Sequence, residues 1–247
     1  MKKSTWASLA VLFILIPATL FLGKQIKGRW FYLTCTLIII ELMVPFFLRF
    51  EARKPQAREL VLVAVMSALA AASRVAFVFL PGFKPIIGII MISGMAFGPE
   101  SGFLIGALSV FASNFFYSQG PWTPWQMMAY GFAGFLAGLL FSRNRRSLIN
   151  SRFFLPIMAG FGFISVLFLV GPLLDCCTVF TVLPKLTVKS VTGIFLAGVP
   201  VNLKTGLATA VTLVLVCKPL LWKLDRIQRK YGLLTGECPL KSPPAAN

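Results

Sequence analysis

The 247-residue sequence contains no histidine. That absence removes most zinc sites, histidine-based catalytic triads and histidine proton relays. Carboxylates are scarce as well, with seven Asp and Glu against 24 Lys and Arg. No two of them pair within a segment, and Glu41 alone sits deep inside an apolar run. A lone Glu is a poor basis for acid–base catalysis; it faces other helices, pairs with a Lys or Arg, or is protonated. There is no GxxxxGKS/T phosphate loop, so ATP hydrolysis by that route is excluded, and no GxSxG nucleophile turn. The five cysteines, Cys35, Cys176, Cys177, Cys217 and Cys238, form no CxxC pair, which argues against both a metal knuckle and a disulfide framework. An enzyme is therefore not expected, and neither a metal nor a cofactor is.

What the chain has instead is apolar length. Hydrophobic residues make up 57%, charged residues 13%, and the mean hydropathy is +0.85. A soluble surface needs more charge than this, and lipid is the solvent that suits it. The formal charge of +17 raises nucleic acid as a partner. The basic residues, however, lie between apolar runs rather than on one face, so no nucleic acid is expected. Eight runs approach the roughly 20 residues that a helix needs to span a bilayer. They are Trp6 to Leu22, Trp30 to Leu48, Leu60 to Leu80, Pro85 to Phe97, Gly102 to Ser118, Gln126 to Phe141, Phe153 to Leu174 and Val191 to Cys217. With no alternating barrel pattern, helix is the spanning structure that satisfies its own backbone. The expected fold is an all-α, polytopic transmembrane bundle. The fourth run is short, and reads as a helix extended through its flanks, a partial helix shielded by its neighbours, or a re-entrant loop.

Eight spans place both termini on one side. Sixteen Lys and Arg fall on that side, six on the other, and Arg74 and Lys204 lie within runs. The positive-inside rule then makes both termini cytoplasmic in a multi-pass cell-membrane protein, with the loop Lys24 to Arg29 as an exception. The first run follows Lys2 and Lys3 and could be a signal peptide. It lacks a clean small-residue cleavage site, which favours a retained helix. The polar stretch RFEARKPQARE (Arg49 to Glu59) reads as a linker. Residues 1–56 are expected to form a two-helix extension, 57–224 a six-helix core, and 225–247 a polar tail.

Three features carry functional information. Ala64, Ala68 and Ala72 recur every fourth residue and share one helical face. Small residues there admit another helix at close range, either from a partner or from the same bundle. Gly94 with Gly98 and Gly134 with Gly138 show the same spacing and point to tight packing generally. The segment SQGPWTPWQM (Ser118 to Met127) is a turn restrained by Gly120, Pro121 and Pro124. Its Trp122 and Trp125 are either interfacial anchors or a cap over a ligand pocket flanked by Gln119 and Gln126. Finally, polar groups inside spans are costly and tend to be functional. Arg74, Asn114, Asn202 and Lys204 are such groups. Pro200 frees carbonyls near the last two, and Lys84 lies at the mouth. Together they outline a basic, amide-containing, aromatic-capped cavity for a ligand with acceptor groups.

The region from about Ala57 to Lys223 resembles the S components of energy-coupling factor transporters. The resemblance rests on the six-helix core, the Ala64–Ala68–Ala72 series, FGPESGFLIGA and GPWTPWQM within Ile92 to Phe141, and the Gly198, Pro200, Asn202 stretch. The GPWTPWQ wording is most similar to the branch linked to cobalamin and its precursors. The resemblance implies a vitamin-binding membrane subunit that captures cargo from outside and docks on a transmembrane coupling subunit driven by two ATPase subunits. Ala64, Ala68 and Ala72 would face the coupling subunit. Lys84, Trp122, Trp125, Gln126, Asn202 and Lys204 would serve the pocket, with Arg74 and Asn114 beside them. The two extra N-terminal helices depart from the family's pattern. The competing readings are an S component for another vitamin; a stand-alone permease, which would need ion ligands or an inverted repeat; and a membrane enzyme, which lacks a nucleophile–base pair.

Overall fold

The computed structural model describes residues 31–52, 55–80, 83–143, 145–183 and 187–230, together with Leu15, Ala18 and Thr19. The first apolar run with its signal-peptide alternative, the loop Lys24 to Arg29 and the tail beyond Lys230 lie outside the described residues, apart from those three positions. Each of the other seven runs becomes helix, and there is no strand among the described residues. The elements are α1 (Phe31–Ala52), α2 (Ala57–Ala76), α3 (Ile86–Phe97), α4 (Pro99–Tyr117), α5 (Thr123–Phe141), a short α6 (Arg145–Ile149), α7 (Phe154–Ser165), α8 (Gly171–Val182) and α9 (Val188–Lys230). A π-helical turn, Val166–Val170, joins α7 to α8. Among the described residues, four stretches are long and apolar enough to cross a membrane: Leu33–Ala52, Ala57–Ala76, Phe154–Val182 and Val188–Lys230.

The centre of the bundle is α3, the short fourth run. Every residue of it except Phe97 is buried, because α2, α4, α5 and α9 enclose it. A helix apolar all round is what such a position requires. At 1.5 Å per residue it is about 18 Å long, less than the bilayer core, and its neighbours supply the rest of the crossing. Gly98, at φ +93°, connects α3 to α4 in one residue, a backbone angle that favours glycine.

Lipid tails are as apolar as leucine, so helices in a membrane associate by close packing and internal hydrogen bonds rather than by exclusion of water. Here the close packing is made by glycine. A Cβ on Gly94 would lie 2.1 Å from the Gly134 carbonyl oxygen, and one on Gly134 would lie 2.3 Å from that of Gly102. The backbones of α3, α4 and α5 therefore touch at one point. The extension helix α1 docks on α4, α5 and α8 through aromatic contacts. Phe46 stacks on Phe103 at 4.1 Å and 11° and meets Phe132 and Phe135 edge-on.

The two halves of α9 differ. From Val188 to Thr205 no residue is buried. From Gly206 to Gln228 the helix buries Ala208, Thr209, Leu213, Cys217, Leu221 and Leu224 against α3 and α7, among others. At 43 residues it is about 65 Å long, well over the ~40–45 Å of a bilayer with its headgroups. It remains helical six residues past the expected core boundary at 224. The reason is a buried polar clamp. Arg145 of α6 pairs with Asp225 at 3.2 Å, donates to Gln228 Oε1 at 2.8 Å and bonds the Ala96 carbonyl oxygen. Gln228 also donates to that carbonyl oxygen at 2.8 Å, and Arg229 pairs with Asp225. The clamp ties the end of α3 to α6 and α9. The bundle thus has a C-terminal end, closed by this clamp, and an opposite loop end that carries Phe77 to Leu80, Phe83 to Pro85 and the segment 118–122.

Candidate functional site

At the loop end, α2 stops at Ala76, one turn before the end of its apolar run, since Phe77 to Leu80 are exposed and precede a proline. Arg74 therefore occupies the last turn of α2 yet is only 6% exposed. Its Nη1 donates to Ser113 Oγ at 2.7 Å and to Asn114 Oδ1 at 2.8 Å. Its guanidinium lies over the Tyr117 ring at 4.6 Å, and the Tyr117 hydroxyl donates back to the Arg74 carbonyl oxygen at 2.9 Å. With its oxygen so engaged, the Asn114 amide donates through Nδ2 to Gln126 Oε1 at 2.9 Å and Thr123 Oγ1 at 3.1 Å. The Thr123 hydroxyl in turn donates to Gln119 Oε1 at 3.0 Å. One continuous network thus joins α2, α4, the Trp loop and the start of α5, and in a low-dielectric site each bond polarises the next.

Lys84 is half-buried and near enough for the Arg74 charge to act on it. Burial, and then the nearby Arg74 charge, hold its ammonium below the usual lysine range. The Trp loop begins at Ser118 with φ +79°, a conformation that costs a non-glycine residue roughly 1–3 kcal/mol and collects at functional sites. The two tryptophans have different surroundings. Trp122 folds back over Gly120 and is 40% exposed. Trp125 points inward, 6% exposed, stacked on Phe180 at 5.7 Å. Next to the network, between α1, α4 and α5, lies an apolar cavity of about 460 Å³ lined by Ile40, Met43, Phe47, Phe111 and Met127, with Gln119 and Thr123 at its polar edge. That volume falls within the range of small-molecule sites.

Of the residues proposed from sequence, Arg74, Asn114 and Gln126 come together directly, with Lys84 and Trp122 at their margin. Asn202 lies elsewhere. It donates to Asp175 Oδ2 at 2.9 Å, linking α8 to the outer half of α9. The space for this pair is made by glycine: a Cβ on Gly171 would strike the Asn202 amide and one on Gly198 the Asp175 carboxylate. Lys204 was expected to face the interior or a partner; it is exposed on the outside of α9. Ala64, Ala68 and Ala72 are all exposed on the outer face of α2, whose inner face carries Val63, Met66, Ser67, Ala70 and Ala71. Glu41 accepts from Thr19 through Oε1 at 2.6 Å, while its Oε2 is buried without a hydrogen bond.

Sequence reading missed Ser113, Tyr117 and Thr123. Their signal was present: Ser113 and Tyr117 are four apart, Asn114 and Tyr117 three, and Thr123 and Gln126 three, the spacings that share a helical face. Asp175 was missed because the seventh run was ended at Leu174, whereas α8 continues to Val182. No group of His, Cys, Asp and Glu among the described residues is arranged to hold a metal ion.

The sequence model of the family described as ECF-type riboflavin transporter, S component, matches residues 54–226. The match covers well over half of the chain, and the chain belongs to this family. No curated protein and no solved structure matches it. Membership makes the chain a multi-pass membrane protein, the substrate-binding subunit of an ECF transporter. It works on a vitamin-type substrate with coupling and ATPase components.

Proposed function

We propose that this S component captures a riboflavin-like vitamin at its loop end, against the Arg74–Asn114–Gln126 network and under Trp122. The observation that carries the reading is that network. Amide, hydroxyl and guanidinium groups from three elements converge at one buried place, where a ligand rich in carbonyls and hydroxyls finds partners. The family's description names riboflavin, and the unburied outer half of α9 leaves that helix free to close on cargo. In this reading the loop end faces outward and both termini are cytoplasmic, since most Lys and Arg lie towards the C-terminal end. The exposed Ala64–Ala68–Ala72 face of α2 receives the coupling component. The extension helix α1 does not obstruct it, because α1 docks on α4, α5 and α8.

A second reading keeps the site and changes the cargo. The GPWTPWQM wording is most similar to the cobalamin branch, and exposed Trp122 could stack on the edge of a corrin. Cobalamin is a much larger ligand than the 460 Å³ cavity beside the network would suit. Titrating the purified protein with riboflavin, cobalamin and cobinamide separates the two. Saturable riboflavin binding, weakened by Gln126→Ala in a folded protein, supports the first reading. Binding of corrinoids alone supports the second. If well-folded protein binds none of the three, both fall.

A further inference from the structure

Arg74 is a cation almost wholly withdrawn from solvent, and only one edge of its guanidinium is used. Nη1 serves Ser113 and Asn114, whereas Nε is buried with no acceptor and Nη2 makes no hydrogen bond among the described residues. The Nε–Nη2 edge is the one that binds a carboxylate or phosphate through two parallel bonds. No carboxylate lies within ion-pairing distance of Arg74 or Lys84 among the described residues. The charge that acts on Lys84 is that of Arg74, a like charge. Two cations held together, one of them buried, without a counter-charge are an unfavourable arrangement that an incoming anion relieves. The other buried arginine, Arg145, shows the contrast, since it is matched by Asp225.

We propose that Arg74 and Lys84 form an anion subsite of the cargo-binding end, so that the preferred cargo carries a carboxylate or phosphate group. The proposal rests on the reading that cargo binds at the loop end. The anion takes the free guanidinium edge while Lys84, near enough to sense the Arg74 charge, supplies a second positive charge. Because Nε is buried and the guanidinium lies against the Tyr117 ring, binding requires the side chains around that edge to rearrange.

Riboflavin and its 5′-phosphate share a ring and differ by one anionic group, so they are the paired probe. Each is titrated against detergent-purified protein. In parallel, mass spectrometry follows acetylation of Lys84, with Lys223 at the opposite end as the reference. The expected results are roughly tenfold tighter binding of the phosphate ester, and slowing of Lys84 acetylation by the ester and by inorganic phosphate, with Lys223 unchanged. Both effects should be lost in Arg74→Gln, and the affinity preference should shrink in Lys84→Gln, which disturbs no recorded hydrogen bond. Riboflavin bound equally well or better, with no protection of Lys84 by either anion, overturns the subsite while leaving the cargo reading intact. Protection by inorganic phosphate without any flavin binding keeps the subsite and discards the flavin. Protection seen only in phosphatidylglycerol nanodiscs, and by neither free anion, assigns the charge pair to lipid headgroups and overturns its role in cargo binding.

Discussion

The two ends of the bundle treat buried charge in opposite ways. At the C-terminal end, Arg145 is matched by Asp225, Gln228 and a backbone carbonyl, and α9 is packed from Gly206 to Gln228. At the loop end, Arg74 and Lys84 have only neutral partners or each other, and α9 buries nothing between Val188 and Thr205. The difference separates two tasks. A bundle anchored at one end by a matched clamp can leave the other end incompletely packed and incompletely paired, which is the condition a ligand can complete.

Breaking the clamp should have the largest effect. Arg145→Ala strands the Asp225 carboxylate in a buried site, and losing one partner of such a pair costs about 3–5 kcal/mol. Arg229, which also touches Asp225, offsets a fraction of this. Thermal unfolding in detergent should fall sharply, while cargo affinity in the remaining folded protein should change little. If affinity falls as far as stability does, the two ends are not separate.

Gly134→Ala tests the centre that joins them. The added methyl lies against the Gly102 carbonyl oxygen, and overpacking of this kind costs about 1–3 kcal/mol or more. A lowered melting temperature is expected, and an unchanged one would mean that the helices part easily.

The tryptophans sharpen the comparison within the loop end itself. Trp125→Ala removes a buried ring stacked on Phe180 and should cost about 3–5 kcal/mol of stability. Trp122→Ala should leave the melting temperature nearly unchanged and weaken cargo binding. Equal losses of stability would erase the distinction between a structural and a ligand-facing tryptophan. On the outer face, Ala68→Leu should alter neither stability nor cargo affinity but should reduce recovery of the coupling component in co-purification. The smallest effect concerns Lys84. Its ammonium is held low by burial and by Arg74, so Arg74→Gln should move the pH midpoint of Lys84 acylation upward. A midpoint that stays put would show that the two charges do not sense each other.

The apolar runs were legible because lipid imposes a single demand on every spanning segment: length without charge. The short run 85–97 was legible only as apolar: a longer helix, a shielded partial helix and a re-entrant loop all fitted it, and the four helices packed around α3 decide for the shielded helix. Depth along each run was legible too: Arg74 and Asn114 lie near the same end of theirs, with Gln126 in the adjoining loop segment, and the three meet in the fold. What depth does not give is direction around the helix. Asn202 and Lys204 are two residues apart, about 200° of rotation, so one faces α8 while the other faces outward. Trp122 and Trp125 read alike in the loop, yet only the second lies within the buried face of α5. The clamp was illegible for another reason. Asp225, Gln228 and Arg229 follow the fall in hydropathy after Cys217 and read as a polar tail. Their partners, Arg145 and the Ala96 carbonyl, are 80 and more residues away in sequence, and only the folded chain brings them together.

Binding of cargo at the unmatched end is what separates the roles of the two ends. Its most direct test is amide hydrogen exchange on the purified protein with and without saturating riboflavin. Slowed exchange is expected over residues 72–84, 114–126 and 188–205, with residues 206–228 unchanged. Slowing confined to residues 206–228 and the region around Arg145, or none at all, would contradict it.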